Sequence, residues 1–204
     1  MLVAFDFGIS NTDIAVFKEH EKIFHTIPTR QQNLSLALLE EILELYDLDR
    51  SKIDFIGVTG GKSSDLPDLI DSTPIIKVNE IEAIGFGAKT LYQIEEEPTL
   101  VVSAGTGTAC VLIQGNTFSH LGGIAVGGGM LEGLGSLLFK NSHVHELNEF
   151  ARQVSSDKLD LLIGDDVNKI GALAPDITAV TFGRPKLASS ATMENTSAAE
   201  CNKI

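Results

Sequence analysis

The first 27 residues, MLVAFDFGISNTDIAVFKEHEKIFHTI, contain the pattern that decides the fold. The stretch reads as three strands separated by two turns: strand 1–7, the turn from Gly8 to Thr12, strand 13–18, a tight turn at His20-Glu21 and strand 22–27. Short apolar runs bounded by glycine or polar residues are typical of strands. The stretch therefore predicts the strand-rich beginning of an α/β lobe.

The next residues predict the rest of this lobe. Its expected elements are a helix over 34–48, a strand over 52–59, a Thr59-Gly60-Gly61 turn, a short strand over 75–78 and a helix over 80–92. Apolar residues at helical spacing indicate the first helix. The acidic run Glu95-Glu96-Glu97 followed by Pro98 interrupts the pattern, which predicts an N-terminal lobe of residues 1–97.

The opening pattern returns about a hundred residues later. Strand 100–104, the turn Gly105–Thr108, strand 109–113, the tight turn Gly115-Asn116 and strand 117–121 follow one another. An internal repeat on this scale predicts two related lobes that face each other. We expect a partial second lobe over 98–189, with helices over 127–139, 145–154 and 159–170. The small and polar tail, 190–204, is expected to be disordered.

Composition limits the classes of partner. The chain has 204 residues and a formal net charge of −13, which argues against nucleic acid and anionic membranes as partners. Its two cysteines form neither a disulfide framework nor a metal-ligand spacing, and no apolar run is long enough to span a membrane. These features predict a cytoplasmic protein. An acidic protein that binds phosphates must use backbone N–H groups, a helix N-terminus or a metal ion.

The first glycine turn carries candidate ligand-binding groups. Gly8 allows close approach of a ligand, and the predicted phosphate-binding residues here are Gly8, Ser10, Asn11 and Thr12. Asp6, at the end of the strand, is predicted to hold Mg²⁺ through water, because Mg²⁺ keeps much of its hydration shell. The alternative is that these polar residues only make a good turn.

The second turn and the segment after it are richer in glycine. Gly105, Thr106, Gly107 and Thr108 lie between apolar strands and predict an anion-binding nest, although a glycine-tightened hairpin would look similar. Gly127, Gly128 and Gly129 then open a helix, where backbone N–H groups can bind phosphate. This spacing is not the dinucleotide-binding fingerprint.

Glu80 and Glu82 lie between a strand and a helix. The helix dipole alone favours carboxylates there, whereas the functional reading makes Glu80 a general base that takes a proton from an acceptor hydroxyl. Loops at strand ends are where α/β sheets place ligands. Gly60 and Gly61 are accordingly predicted to bind the substrate. His120, before Gly122-Gly123, could be a substrate contact or a plain strand residue, and His120, Gly122 and Gly123 complete the predicted substrate-binding residues. Lys62 could neutralise substrate charge or be an ordinary surface lysine.

Together, these motifs resemble the type II pantothenate kinases of the acetate-and-sugar-kinase, Hsp70 and actin superfamily. The most specific match is Gly122-Gly123 followed by Gly127 to Gly135, which is similar to the family's GGxxxGGGxxxGL segment. Val58–Gly61, Ser103–Thr108, Asp160–Ile163 and Pro175–Gly183 also match. The resemblance implies duplicated actin-like (ribonuclease H-like) lobes and ATP- and Mg²⁺-dependent phosphorylation of pantothenate, the first step of coenzyme A synthesis. It also implies Glu80 as the catalytic base, and it allows a homodimer.

The sequence departs from the family at three positions. Ile9 and Asp13 replace the second glycine and the lysine of the family's first loop, and His120 stands near the position of a substrate-binding arginine. The second lobe also lacks the family's later strand–helix units. Three readings therefore stay open: a pantothenate kinase, a kinase for another small hydroxylated acceptor, or a nucleotide-binding homologue with a regulatory role.

Overall fold

The computed structural model of the chain forms two compact units. It describes residues 1–29, 34–61, 63–95, 97–166, 173–184, 192, 195–196 and 198–199. The first unit comprises Met1–Ser103 and Cys110–Gly122, and the second comprises Ala104–Ala109 and Gly123–Ile204. These units are not the predicted duplicated lobes. The predicted boundary between the two lobes, after residue 97, stays a prediction.

The described residues form strands and helices in mixed order. The strands are β1 (Leu2–Phe7), β2 (Asn11–Lys18), β3 (Glu21–Pro28), β4 (Phe55–Thr59), β5 (Leu69–Ile70), β6 (Thr73–Lys77), β7 (Thr99–Ala104), β8 (Thr108–Gln114), β9 (Thr117–Ile124), β10 (Leu161–Leu162) and β11 (Thr178–Val180). The helices are α1 (Leu36–Leu45), α2 (Glu80–Tyr92), α3 (Gly128–Phe139), α4 (Val144–Ala151) and α5 (Ile163–Asp166).

The first unit contains a six-stranded sheet in the order β3-β2-β1-β4-β6-β5. β1 is antiparallel to β2 and parallel to β4, and β4 is parallel to β6. The carboxyl ends of β1, β4 and β6 therefore lie at one edge of the sheet. Open α/β sheets place their ligands at such an edge.

The core of the first unit follows from strand alternation. Val3, Phe5 and Phe7 of β1 are buried, whereas the intervening residues are more exposed. These side chains share one cluster with Leu39 and Leu43 of α1. Because side chains alternate between the faces of a strand, Asp6 belongs to the opposite face of the sheet.

Helix α2 is anchored at both ends within the first unit. The side chain of Asn79 caps it by accepting a hydrogen bond from Ile81 N at 2.9 Å. Near its other end, Lys89 Nζ donates to Gly115 O at 2.6 Å, in the turn between β8 and β9. The rings of Phe86 and Phe118 also meet edge to face with centroids 4.6 Å apart. These contacts fix the position at which α2 begins.

The second unit contains close helix packing and a buried carboxylate. A Cβ built on Gly135 of α3 would lie 2.4 Å from Leu147 Cδ1 of α4, so glycine is needed at this contact. Asp160 is fully buried and accepts hydrogen bonds from Phe182 N at 2.9 Å and from Thr178 Oγ1 at 3.2 Å. Those bonds tie together two of the segments that carry the family resemblance.

An ion pair reinforces this corner of the second unit. Arg184 pairs with Asp165 and donates through Nε to Asp160 O at 2.9 Å. The hydrogen bond from Leu162 N, followed by the one from Arg184, holds the pKa of Asp165 below its ordinary value. Sequence reasoning had assigned neither Asp165 nor Arg184 a role.

Several expected elements change in the structure. The helix predicted over 159–170 is wrong in its described part, because Leu161-Leu162 pairs with β11 and only Ile163–Asp166 is helical. Residues 167–170 lie outside the described residues, as do Lys62 and most of the tail. The first tight turn lies at Glu19-His20, where Glu19 has a φ of 49°. In the tail, Ala198 and Ala199 are buried.

The predicted helix over 80–92 is confirmed with both of its ends. Over the part of the chain that the structure describes, every helix is too short or too polar for a membrane crossing.

Candidate active site

A row of polar residues crosses the sheet of the first unit near its ligand-binding edge. Strand register places Asp6 opposite both Asp13 and Thr59, and Asp13 opposite Thr26. Residues paired in this way share a face, so the polar row, defined as Thr26, Asp13, Asp6 and Thr59, lies on the face away from the α1 core. Elementary strand pairing therefore assembles the first part of the site.

Asp6 occupies the centre of the polar row, at the end of β1. A Cβ built on Gly60 would lie 2.5 Å from Asp6 Oδ1 and 2.8 Å from Phe7 O, and Gly60 has a φ of 73°. Only glycine meets both the steric and the conformational requirement. Asp6 is exposed, but partial burial of its carboxylate, followed by the charges of Glu80 and Asp13, raises its pKa above the ordinary value.

Glu80 is the first residue of α2 and is exposed. The backbone reaches it directly from β6, and Val78 N donates to Val58 O at 2.8 Å where β4 and β6 end. The charge of Glu80 acts on Asp6, which places the two carboxylates in one electrostatic environment. The structure thus brings together the predicted metal-binding and base residues.

Thr29 holds the first turn, although sequence reasoning had not selected it. Its hydroxyl donates to Gly8 O at 2.8 Å, and its backbone N donates to Ser10 O at 2.8 Å. The hydroxyl of Thr12 is 3.1 Å from that of Thr29, and Thr12 is buried. The side chain of Thr12 therefore supports the loop. Phosphate binding by Gly8, Ser10, Asn11 and Thr12 stays a prediction.

Asp13 faces the site. It lies on the same side of the sheet as Asp6 and accepts a hydrogen bond from Thr26 Oγ1. This bond orients the carboxylate but leaves its negative charge beside Asp6. The replacement of the family's lysine by Asp13 therefore changes the local charge of the site.

In the second unit, the turn Gly105–Thr108 packs against the start of α3. Gly128 N donates to Gly105 O at 2.8 Å, and Gly129 N donates to Thr106 O at 3.0 Å. The hydroxyl of Thr108 donates to Val126 O at 2.7 Å. Two of the helix N–H groups that were predicted to bind phosphate are thus already bonded to the turn.

The glycines of this segment have a structural requirement. A Cβ on Gly127 would lie 2.7 Å from Thr106 O, one on Gly129 would lie 2.5 Å from Thr106 Cγ2, and one on Gly123 would lie 2.5 Å from Thr108 O. Real Cβ atoms essentially never approach so closely. Close packing of the turn against the start of α3 explains Gly127 and Gly129, and close packing of β9 against β8 explains Gly123. Their role in ligand binding stays a prediction.

The remaining predicted substrate residues lie in two places. Gly60 and Gly61 follow β4 directly, at the ligand-binding edge of the sheet. His120 and Gly122 belong to β9, where His120 is exposed. Their contact with a substrate stays a prediction. Thr59 is the site-facing residue that sequence reasoning missed, although it immediately precedes the quoted glycines.

The residues fit a magnesium ion that is held mainly through water and ligand oxygens. Within the described ranges, no group of three or more His, Cys, Asp or Glu side chains is placed to hold a metal directly. Mg²⁺ bound with nucleotide commonly needs only one or two carboxylates. Asp6 can supply one of them, and nearby Asp13 and Glu80 strengthen the negative potential.

Comparisons with known proteins identify relatives of the chain. The chain is 29% identical over 190 residues to the type II pantothenate kinase of Staphylococcus epidermidis, which covers 90% of this chain and 67% of the relative. It is 28% identical to the type II pantothenate kinase of Oceanobacillus iheyensis, over 97% of this chain and 72% of the relative. The predicted resemblance to these kinases is confirmed.

A solved structure confirms the predicted fold. The activator of the 2-hydroxyisocaproyl-CoA dehydratase from Clostridium difficile, with bound ADPNP, superimposes with a TM-score of 0.60 at 16% identity. The superposition covers 98% of this chain and 70% of the activator. At this identity the likeness establishes the fold only. The protein has the actin-like ATPase fold.

The family follows from the sequence. The family model named Fumble matches residues 88–203, more than half of the chain. The chain therefore belongs to the Fumble family, which is pantothenate kinase-like. The relatives named pantothenate kinase confirm the prediction that the protein is of the kinase class.

Proposed function

We propose that the protein is an ATP-dependent kinase that phosphorylates pantothenate. The observation that supports this proposal most directly is that Asp6 near the end of β1 and Glu80 just after β6 lie at the same carboxyl edge of the sheet. A phosphotransferase needs a metal-binding carboxylate and a base within one site. The names of the relatives supply the acceptor.

Each residue has a defined part in the proposed reaction. Glu80 accepts the proton of the acceptor hydroxyl while that oxygen attacks the terminal phosphorus of ATP, the bond from this phosphorus to the bridging oxygen breaks, and ADP leaves. Asp6 would hold Mg²⁺ through water, and the ion would neutralise charge on the phosphate oxygens. The turn Gly105–Thr108 provides backbone groups for phosphate oxygens. Catalysis then depends mainly on positioning and charge stabilisation.

Replacing Glu80 with Gln tests the proposal. The amide keeps the size of the side chain but cannot take a proton, so we expect kcat to fall roughly a hundred- to ten-thousandfold. Phosphopantothenate formation from Mg-ATP and pantothenate is the measurement. Glu82→Gln is the matched control, because Glu82 also lies in the first turn of α2. Equal activity of Glu80→Gln and the parent would refute the role of Glu80.

Asp13 supports a second candidate function. A carboxylate that faces Asp6 adds negative charge where ATP would place its phosphates, which favours a homologue that binds nucleotide without turnover. Under this alternative, Mg-ATP binds but phosphopantothenate does not form. Transfer to a different small hydroxylated acid in the same assay would instead indicate another acceptor, in line with His120 at the position near the family's arginine.

The proposed partner of the enzyme is a small-molecule substrate. A homodimer and a cytoplasmic location stay predictions. Size-exclusion chromatography with light scattering measures the oligomeric state directly.

A further inference from the structure

Thr59 has a buried hydroxyl that lacks a partner. Across the described residues, Thr59 Oγ1 makes no hydrogen bond even though it is shielded from solvent. Such a group loses its hydrogen bonds to water on folding and gains nothing in return. Buried polar atoms in native proteins are almost always bonded, so this exception requires an explanation.

The position of Thr59 points to a ligand. It is the last residue of β4 and the parallel partner of Asp6, so it belongs to the polar row. The glycine that follows it lets the Asp6 carboxylate lie against the backbone at Gly60. The hydroxyl therefore lies among the residues that form the predicted ligand-binding edge, and on the same face.

The neighbouring residues of the polar row are otherwise engaged. Asp13 accepts its hydrogen bond from Thr26, which is the corresponding hydroxyl at the other end of the row. Thr26 and Thr59 thus flank the two carboxylates, but only Thr26 has its partner. This asymmetry leaves the hydroxyl of Thr59 as the group of the polar row that a ligand oxygen could satisfy.

We propose that Thr59 is a binding residue whose hydroxyl bonds an oxygen of the magnesium–nucleotide complex. The inference rests on the proposed function and adds to it a residue beyond Asp6 and Glu80. A hydroxyl can donate to an anionic phosphate oxygen or accept from a metal-bound water. Both are oxygens of the same complex, and the experiment below distinguishes them.

The test uses Thr59→Val in the full chain, because valine keeps the shape and removes the hydroxyl. Without ligand, the variant should unfold at the same temperature as the parent or higher, since an unpartnered polar group is removed. Calorimetric binding of ADP with Mg²⁺ should weaken about tenfold, as expected for a hydrogen bond to a charged ligand. Thr99→Val is the control, because Thr99 is a strand residue whose hydroxyl already bonds Glu97 O.

Two further titrations identify the bonded oxygen. If the loss persists for ADP in EDTA, the hydroxyl bonds phosphate, and if it requires Mg²⁺, the hydroxyl bonds a metal-bound water. Either result supports the proposal.

Three outcomes would overturn it. A lower unfolding temperature of ligand-free Thr59→Val would mean that the hydroxyl has a structural partner. Unchanged binding of ADP, or a loss confined to pantothenate, would remove Thr59 from the nucleotide side. If the parent itself binds no nucleotide, the proposed function fails together with this inference, which separates that case from a failure of Thr59 alone.

Discussion

In the first unit, the hydroxyl and the backbone N of Thr29 hold the turn after β1, whereas in the second unit the first backbone amides of α3 hold the turn after β7. Thr29 bonds the carbonyl of Gly8, while Gly128 N and Gly129 N bond the carbonyls of the Gly105–Thr108 turn. The two turns share a sequence pattern but have different supports.

The difference explains which positions can vary. The first turn needs glycine at Gly8, where a Cβ would lie 2.7 Å from Asn11 O, but the exposed Ile9 stands where the family has its second glycine. Asp13, in β2, stands where the family has lysine. A turn held by direct backbone contact needs a missing side chain at each contact. The segment from the end of β9 to the start of α3 accordingly keeps glycine at 123, 127 and 129. We infer that substitutions around the first turn change the local charge of the site, whereas the glycines around the second turn preserve its close packing.

Among the changes that test this difference between the two turns, replacing Gly127 with Ala should have the largest effect. The added Cβ would meet Thr106 O, Gly105 O and Gly107 Cα within 2.9 Å, all of them backbone atoms. We expect a loss of about 1–3 kcal/mol in the free energy of unfolding, as for an overpacked core site. Urea unfolding followed by circular dichroism measures it.

Gly133→Ala, inside the helix that Gly127 caps, provides the control. A Cβ on Gly133 meets no atom within 4 Å, so the change should stabilise the protein by about 0.5–1 kcal/mol through helix propensity. Equal stability of the two variants would contradict this difference between the turns, because the backbone contact at Gly127 would then not contribute to stability.

Replacing Asp13 with Lys should have the next largest effect. The change removes a carboxylate that faces Asp6 and restores the cation that the family usually has in its first loop. We expect Mg-ATP to bind about tenfold more tightly, as measured by calorimetry. Asp13→Asn removes only the charge and should give an intermediate affinity. Weaker binding in both variants would instead assign Asp13 to the magnesium site.

Asp6→Asn should have the smallest effect on stability and a characteristic pH dependence. Because the pKa of Asp6 is raised in the folded state, the folded protein binds this proton more tightly than the unfolded chain does. The stabilisation by protonated Asp6 is present below its ordinary value of 3.8 and is lost as the pH rises through the raised pKa.

At neutral pH, therefore, Asp6→Asn should raise the Tm by about 1–2 °C, after allowance for solvent screening. The advantage over the parent should shrink as the pH falls toward 4. Thermal unfolding between pH 4 and 7.5 measures this difference. A variant that is less stable than the parent at neutral pH would show that the carboxylate is stabilising in the ligand-free protein.

Local sequence patterns predicted much of the fold. The limits of α2 at Glu80 and Tyr92 follow from the Asn79 cap and from helical spacing, both of which are short-range properties. The strands of both glycine-turn repeats were also predicted. The segment 159–170 was not, because Leu161 pairs with Val180, which is distant in sequence. Local propensity carries no information about such a pairing.

The candidate site divides in the same way. Asp6 and Glu80 could be selected from the sequence, since each stands at the end or beginning of an element and carries an ionisable group. Thr29 and Thr59 could not, because a threonine beside a turn has no distinctive spacing. Their roles depend on hydrogen bonds that are made, or left unmade, only after folding.

The sequence by itself determined the repeated strand–turn–strand pattern, the start of α2 and the residue types available for phosphate and metal binding. Only the tertiary structure decided that Asp13 and Thr59 share a face with Asp6, and that the glycines after β9 serve close packing. The reason is physical: periodicity and capping act within a few residues, whereas strand register and interatomic contact join residues that are far apart along the chain.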